Sequence, residues 1–282
     1  MISRIDAHHH FWKFDAAEYA WIGAGQRVLR KDFLPGDFEP ELRAAGITGT
    51  IAVQARQSLE ETRWLLELAD QHEFIHGVVG WAPLTEANVG ATLERLTTHP
   101  KLRAIRHVLH DEADERYMLR EDFNRGVAEL KSFDLAYDIL IFERHLPQTI
   151  EFVDRHPNQI FIVDHLAKPR VRDGILSPWR ENIQQLARRP HVYCKISGLA
   201  TEADHSSWSE MQLAPYMDWI LSLFGPERAL FGSDWPVCLL AVGYRQWIEI
   251  VARFIGRLSE GEQQRIWSAT AREAYKLRGN PH

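Results

Sequence analysis

The sequence predicts one (β/α)₈ barrel that spans residues 1–282. Eight short apolar runs alternate with longer amphipathic stretches, and a chain of 282 residues is long enough for eight strand–helix units. Several runs are apolar throughout, such as Ile51-Ala52-Val53, which is typical of parallel strands buried on both faces. An open doubly wound sheet is the alternative. That fold normally carries a glycine-rich first turn, whereas the first run here ends in histidines.

Strands are predicted where β-branched and other apolar residues cluster between turn-forming residues. In chain order these runs are Arg4–His10, Gly49–Gln54, Ile75–Trp81, Leu102–His107, Ala136–Ile141, Ile160–Asp164, Val192–Ile196 and Ala229–Phe231. A barrel of this kind has its active site at the carboxyl ends of its strands. The residues that end each run are therefore the first candidates for a functional site.

Helices are predicted where apolar residues recur at three- and four-residue spacing. They are Glu39–Ala45, Leu59–Gln71, Val89–Thr97, Phe123–Phe133, Leu146–His156, Trp179–Arg188, Pro215–Phe224, Tyr244–Ile255 and Glu260–Leu277. Ser58 and Glu61 form a predicted capping box at the start of the second helix. The connection Asp15–Pro40 shows little pattern, and because so long a loop is usually functional, we expect it to act as a lid.

Composition and charge exclude several classes of function. The net charge is −6 without a basic stripe, which argues against nucleic acid as a partner. No apolar run approaches the length of a membrane span, and Met1–Asp6 lacks the apolar core of a signal peptide. Cys194 and Cys238 are too few for a disulfide framework, so we expect a cytoplasmic protein that acts on a small molecule. The sequence is compatible with a homodimer.

The segment Asp6-Ala7-His8-His9-His10 is the most informative part of the chain. Side chains in a strand alternate between its two faces, so His8 and His10 point the same way and His9 points opposite. Two imidazoles aimed at one point can bind a metal, transfer protons, or do both. The alternative of a leftover affinity tag fits poorly, because the triplet is fused to apolar residues on both sides.

Polar groups end nearly every predicted strand, and this convergence indicates a site. Asp234 follows the last strand in a Gly-Ser/Trp-Pro turn and can activate a water or bind a metal. His165 follows the sixth strand. Arg106 and His107 end the fourth and can polarise a carbonyl or anchor a carboxylate. The weaker candidates for substrate contact or pocket lining are Gln54, Arg56, Trp81, Asp138, Lys168, Lys195, Trp12 and Trp235.

Five segments in chain order resemble the amidohydrolase superfamily. More narrowly, they resemble its amidohydrolase-related branch, which contains sugar-lactone hydrolases and the pyrone-dicarboxylate lactonase. The segments are Ile5-Asp6-Ala7-His8-His9-His10-Phe11-Trp12, Arg106-His107, Asp164-His165-Leu166-Ala167-Lys168-Pro169, Lys195-Ile196-Ser197-Gly198-Leu199 and Phe231-Gly232-Ser233-Asp234-Trp235-Pro236. The resemblance covers the chain from residue 5 to about residue 275 and implies a (β/α)₈ barrel of the amidohydrolase type.

The resemblance also implies a ligand set for a divalent metal, consisting of His8, His10, His165 and Asp234. In the lactonase branch these residues sometimes act without a metal. Two departures from the family pattern argue against a binuclear site, because the fourth strand offers Arg106 and no lysine, and the fifth offers Asp138 and no histidine. Three histidines and one carboxylate can hold one Zn²⁺, or they can polarise a substrate directly.

The resulting hypothesis is hydrolysis of a sugar-acid lactone, such as an L-fucono- or L-rhamnono-lactone. Asp234 would activate the attacking water, while His8, His10, His107 and His165, or one metal held by them, would stabilise the oxyanion. The predicted substrate contacts are Arg106, Arg56, Lys168, Gln54, Trp12, Trp81 and Trp235. Three alternatives stay open, which are a metal-dependent decarboxylase of the same superfamily, a pyrone-dicarboxylate lactonase, and a barrel that binds a sugar acid without catalysis.

Overall fold

A nearly closed ring of eight parallel strands forms the centre of the molecule, which confirms the predicted (β/α)₈ barrel. The computed structural model describes residues 3–277. The strands pair in sequence order from first to last. They are β1 Ile5–His9, β2 Gly49–Val53, β3 Ile75–Gly80, β4 Leu102–Val108, β5 Ala136–Leu140, β6 Phe161–Val163, β7 Val192–Ile196 and β8 Ala229–Phe231. Each lies within two residues of its predicted bounds.

The helices pack around this ring and bury their apolar faces against it. They are α1 Pro35–Ala45, α2 Leu59–Gln71, α3 Val89–Thr97, α4 Glu121–Leu130, α5 Leu146–Asp154, α6 Trp179–Ala187, α7 Glu210–Arg228, α8 Tyr244–Ile255, α9 Glu260–Gln264 and α10 Thr270–Ala274. Among the helices of residues 3–277, none has both the length and the apolar character needed to span a membrane.

Two predicted helices begin four or five residues earlier than expected, and a third is interrupted. Helix α1 begins at Pro35 and not at Glu39, because Asp37 accepts a hydrogen bond from the Leu34 N–H and fixes the first turn. Helix α7 begins five residues before Pro215, since Ser209 and Gln212 form a capping box there. The predicted last helix, Glu260–Leu277, is interrupted by a π-helical turn at residues 265–269.

Glu61 does not complete the predicted capping box of α2. Ser58 does cap the helix, because its hydroxyl accepts from the N–H groups of residues 60 and 61. The Glu61 carboxylate instead accepts from Ala55 N at 3.0 Å and Arg56 N at 2.9 Å, and from the Tyr19 hydroxyl at 3.3 Å. The side chain therefore ties the loop after β2 to the long first connection.

The long first connection is more ordered than its sequence suggests. Trp12 and Phe33 form an antiparallel bridge that closes its base, and several of its apolar side chains, Tyr19, Ile22 and Leu29 among them, are buried. Its last residues already belong to α1. Because buried aromatic and aliphatic groups hold this segment on the barrel, it is a packed part of the fold. Its action as a lid stays a prediction.

Strand β1 contains a bulge that decides which of its side chains face the barrel axis. Asp6 pairs with Thr50 but His9 pairs with Ala52, so three steps along β1 match two along β2. Ile5 and Ala7 belong to the apolar cluster inside the barrel. After the bulge the inward positions are taken by His8 and His10.

Asp6 fixes the bulge to the turn after β8. Its buried carboxylate accepts from His8 N at 3.1 Å, from Ser233 N at 2.9 Å and from the Tyr244 hydroxyl at 3.2 Å. Burial raises the pKa of Asp6 to about 6, although these hydrogen bonds act in the opposite direction. The carboxyl therefore joins the two strands at which the barrel closes.

Replacement of Asp6 tests this closure. Asp6→Ala leaves three buried donors without an acceptor and should cost about 2–4 kcal/mol of stability, measured by urea unfolding. Asp6→Asn, the matched control, keeps an oxygen for both backbone N–H groups. The pKa of Asp6 is about 6 in the folded protein and lower in the unfolded chain, so between about pH 4 and 6 the carboxyl is ionised mainly in the unfolded chain. The stability of the wild type should therefore fall relative to that of Asp6→Asn as pH rises from about 4 to 6, by up to about 3 kcal/mol. A pH-independent difference would contradict the assignment.

Candidate active site

Four side chains from three strand ends converge at the carboxyl end of the barrel. His8 Nε2 lies 3.2 Å from His10 Nε2. Asp234 Oδ1 lies 3.3 Å from His10 Nε2, 3.6 Å from His8 Nε2 and 3.8 Å from His165 Nε2. Each of the four residues is at most 5% exposed. The predicted metal-ligand set is thus brought together around one point.

The bulge in β1 turns both histidines toward the barrel axis. Their rings lie 4.9 Å apart, edge to face. His9 points to the opposite side, where its Nε2 lies 2.9 Å from the Thr50 hydroxyl and its ring packs on Phe11 and Phe38. The alternation that the sequence predicts for this triplet is observed, and His9 has a packing role.

His165 and Asp234 are held by unusual backbone conformations. Residues 165–168 all have positive φ, between 48° and 59°, and Asp234 has φ 61°. Left-handed backbone is unfavourable for residues other than glycine and persists where surrounding contacts enforce it. His165 Nδ1 lies 2.8 Å from the Ser197 hydroxyl, and the Asp234 N–H donates to His8 O at 2.8 Å. The strain is therefore located at the residues that carry the candidate chemistry.

These donor groups fit a divalent metal. Zinc prefers imidazole nitrogen and carboxylate oxygen in a tetrahedral arrangement, in which neighbouring donor atoms are about 3.3 Å apart given Zn–N distances of about 2.0–2.1 Å. The donor atoms of His8, His10 and Asp234 are 3.2–3.6 Å apart, close to this spacing, and His165 Nε2 lies 3.8 Å from Asp234 Oδ1. Two of the histidines also have the outer partners typical of metal ligands, since His10 Nδ1 contacts Val53 O at 2.8 Å and His165 Nδ1 contacts Ser197.

The electrostatics of the site keep Asp234 ionised. Burial opposes its charge, but the rings of His165, His10 and His8 outweigh burial and hold the pKa of Asp234 well below its ordinary value. Burial lowers the pKa of His165 to about 4, and burial together with the Lys195 ammonium lowers the pKa of His8. At neutral pH the site therefore presents one carboxylate against uncharged imidazoles at positions 8 and 165.

A network of four buried charged side chains lies in the barrel interior, next to these candidate ligands. Lys195 Nζ is 2.6 Å from Asp138 Oδ2 and 2.8 Å from Asp164 Oδ1. Arg106 Nη1 is 2.9 Å from Asp164 Oδ2, and its Nη2 donates to Gln54 O. From the sequence, Lys195 and Asp138 were only weak candidates for substrate contact or pocket lining, and no separate role was predicted for Asp164.

The alternation of side chains could have identified this network. Two positions before these charged residues, in the same strands, lie apolar side chains of the barrel interior, namely Ala104, Ala136, Ile162 and Tyr193. Residues two apart in a strand share a face. Arg106, Asp138, Asp164 and Lys195 therefore had to point inward with them.

His107, predicted to stabilise the oxyanion, and the predicted substrate-contact residues have varied surroundings. His107 Nε2 lies 2.6 Å from Glu112 and its Nδ1 accepts from the Trp81 indole at 3.3 Å. Lys168 pairs with Glu202 at 2.7 Å. Arg56 pairs with Glu18 and lines a surface cleft of about 480 Å³ that contains none of the four converging residues.

The remaining aromatic and amide candidates are buried in the protein. Trp12 is fully buried and its indole N–H donates to Lys31 O at 2.9 Å. Trp235 stacks on Phe38 with ring centroids 4.2 Å apart. Gln54 is also fully buried. Their contact with a substrate stays a prediction.

Gly198 provides a test of how His165 is positioned. A Cβ at Gly198 would lie 2.5 Å from His165 Nδ1, and the residue has φ 61°. Gly198→Ala should displace the ring and weaken Zn²⁺ binding at least about tenfold, measured by calorimetric titration. Gly174→Ala is the matched control, because Gly174 has φ 65° but no atom within 4 Å of the added carbon. Equal zinc affinity in both variants would show that the ring has room to move.

Comparisons with known proteins agree with this geometry. The amidohydrolase family profile matches residues 5–277. The chain is 43% identical to an L-fucono-1,5-lactonase of Burkholderia multivorans, covering 97% of this chain and 96% of that protein. It is 34% identical to an L-fucono-1,5-lactonase of Burkholderia ambifaria, covering 98% and 97% respectively.

A solved structure of a relative also matches along nearly its whole length. It is an amidohydrolase from Burkholderia multivorans with bound zinc, with a TM-score of 0.94 at 43% identity, covering 98% of this chain and 100% of that one. Fold, motif order and sequence identity agree over almost all of the chain. The protein is a member of the amidohydrolase family.

Proposed function

We propose that this protein hydrolyses a sugar-acid lactone, with L-fucono-1,5-lactone as the first candidate substrate. The observation that carries the proposal is the placement of one ionised carboxylate oxygen, Asp234 Oδ1, within 3.3–3.8 Å of three imidazole nitrogens in a nearly dry site. A carboxylate beside a cluster of imidazoles can activate water next to groups that stabilise an oxyanion. Two relatives named L-fucono-1,5-lactonase support this substrate class.

The reaction follows from the roles of the converging side chains. A water molecule gives a proton to Asp234 as its oxygen bonds to the lactone carbonyl carbon. The tetrahedral intermediate then collapses, the ring C–O bond breaks, and the proton passes from Asp234 to the departing ring oxygen. The product is the open aldonic acid, which then releases a proton to solvent and becomes the aldonate. A lactone is an activated ester, so the lowered pKa of Asp234 is compatible with this role.

The oxyanion forms in a region of positive potential. Arg106 Nη1 lies 3.4 Å from His8 Nε2, and little water screens its charge because both groups are buried. When a divalent metal is bound by His8, His10, His165 and Asp234, it supplies further polarisation of the carbonyl. Zinc is the metal we propose, since the donors are three nitrogens and one oxygen.

Substrate recognition is assigned to residues at the same barrel end. Arg106 and Lys168 can donate hydrogen bonds to the hydroxyl groups or the carboxylate of a sugar acid, whereas both ring nitrogens of His107 already make hydrogen bonds, to Glu112 and Trp81. Cys194 and Cys238 are unpaired thiols, which fits the proposed cytoplasmic location.

Proton release on a panel of lactones tests the reaction class. The panel contains L-fucono-1,5-lactone, other aldonolactones and 2-pyrone-4,6-dicarboxylate, each with and without a chelator. We expect turnover of at least one aldonolactone, and the effect of the chelator then shows whether the metal is required. Turnover of the pyrone alone would indicate a pyrone-dicarboxylate lactonase instead of a sugar-lactone hydrolase. If no compound of the panel is hydrolysed with Zn²⁺ added, lactone hydrolysis is contradicted and the decarboxylase alternative is favoured.

A further inference from the structure

The hydrogen-bond partners of His10 fix the position of its ring hydrogen. His10 Nδ1 lies 2.8 Å from Val53 O, and a carbonyl oxygen can only accept. The hydrogen is therefore on Nδ1. In the neutral ring, His10 Nε2 then carries a lone pair that faces His8.

Lys195 favours the opposite position for the hydrogen of His8. Its ammonium group can only donate, and Lys195 Nζ lies 3.0 Å from His8 Nδ1 in hydrogen-bonding geometry. This contact favours the ring form with the hydrogen on Nε2, whereas the Arg106 guanidinium, also only a donor, lies farther away, 3.4 Å from Nε2, and favours the other form. With the hydrogen on Nε2, His8 can donate to His10 Nε2, 3.2 Å away, and a directional chain runs from Lys195 through His8 and His10 to Val53 O.

A metal requires a different arrangement at His8. Both Nε2 atoms must present lone pairs to the ion, so the hydrogen of His8 must move to Nδ1. Asp164 Oδ1 lies 3.3 Å from that nitrogen and is itself paired with Lys195 Nζ at 2.8 Å. A carboxylate oxygen has two lone pairs, so Asp164 Oδ1 can accept from His8 Nδ1 while it stays paired with Lys195.

We propose that Lys195 and Asp164 compete for His8 Nδ1 and so set the zinc affinity of the site in opposite directions. Lys195 stabilises the metal-free arrangement and Asp164 the metal-bound one. Both are positioning residues, because they act on the ligand His8. The inference rests on the metal site of the proposed function, and it is tested without any substrate, so it can fail while lactone hydrolysis holds.

Zinc affinity of three variants tests the direction of each effect. Zn²⁺ is titrated against a competing chromophoric chelator. Lys195→Met should bind zinc about tenfold more tightly than wild type, and Asp164→Asn about tenfold more weakly. Lys101→Met is the matched control, because it removes a partly buried ammonium at the opposite end of the barrel, and its zinc affinity should equal that of wild type. Unchanged or weaker binding by Lys195→Met would overturn the proposal.

Lys195→Met leaves Asp138 and Asp164 without their shared ammonium partner, which can impair folding. The double variant Lys195→Met/Asp138→Asn removes one charge of each sign and should also bind zinc more tightly than wild type. Removal of a cation near zinc tightens binding by electrostatics alone, so a second readout is required.

The position of the His8 hydrogen supplies that readout in the wild-type protein. Nitrogen NMR of ¹⁵N-histidine-labelled protein, with His8 signals assigned by comparison with His8→Gln, distinguishes the two ring forms. We expect the hydrogen on Nε2 in chelator-treated protein and on Nδ1 after Zn²⁺ is added. A hydrogen on Nδ1 in the metal-free protein would overturn the proposal, whatever the variants bind.

Discussion

Closure of the barrel between β1 and the turn after β8 is the constraint on which the site depends. His10 N donates to Trp235 O at 2.7 Å, Asp234 N donates to His8 O at 2.8 Å, and Ser233 N donates to Asp6. These bonds join the segment that carries two histidines to the segment that carries the carboxylate. The distances from Asp234 to His8 and His10 are therefore set by backbone hydrogen bonds, and the bulge at Asp6 determines that both rings point inward.

The buried charges beneath the site form a second constraint. Asp138 and Asp164 are balanced by Lys195 and Arg106, and all four are at most 3% exposed. Burial of such ions is costly, and removal of one partner typically destabilises a protein by about 3–5 kcal/mol. The network also fixes the orientations of the side chains in it, because each charged group holds its neighbour in one position. His8 is held in this way from its Nδ1 side, while its Nε2 faces the ligand cluster.

The fold was predictable from the sequence to a large extent, for a clear physical reason. Parallel strands buried on both faces read as continuous apolar runs, and the ends of those runs mark the active face. The convergence of His8, His10, His165 and Asp234 follows from strand alternation and from the family resemblance together.

Other features lay beyond the sequence. The bulge in β1, the left-handed backbone at residues 165–168 and the contact of Lys195 with His8 depend on tertiary packing that no local pattern encodes. Helix ends were misjudged where a cap such as Ser209 or Asp37 was overlooked. Local rules thus give the layout of the barrel, and the hydrogen-bond partners within the site require the structure.

Asp234 is the proposed base for the water that attacks the lactone carbonyl, and the variant Asp234→Asn removes that base while it keeps the size of the side chain. We expect kcat on L-fucono-1,5-lactone to fall by a factor of about 10²–10⁴. The aldonate product, titrated calorimetrically, should still bind within a few-fold of wild type. Asp134→Asn, an exposed aspartate elsewhere, should leave both values unchanged. Retention of kcat within a few-fold in Asp234→Asn would contradict the assignment of the base.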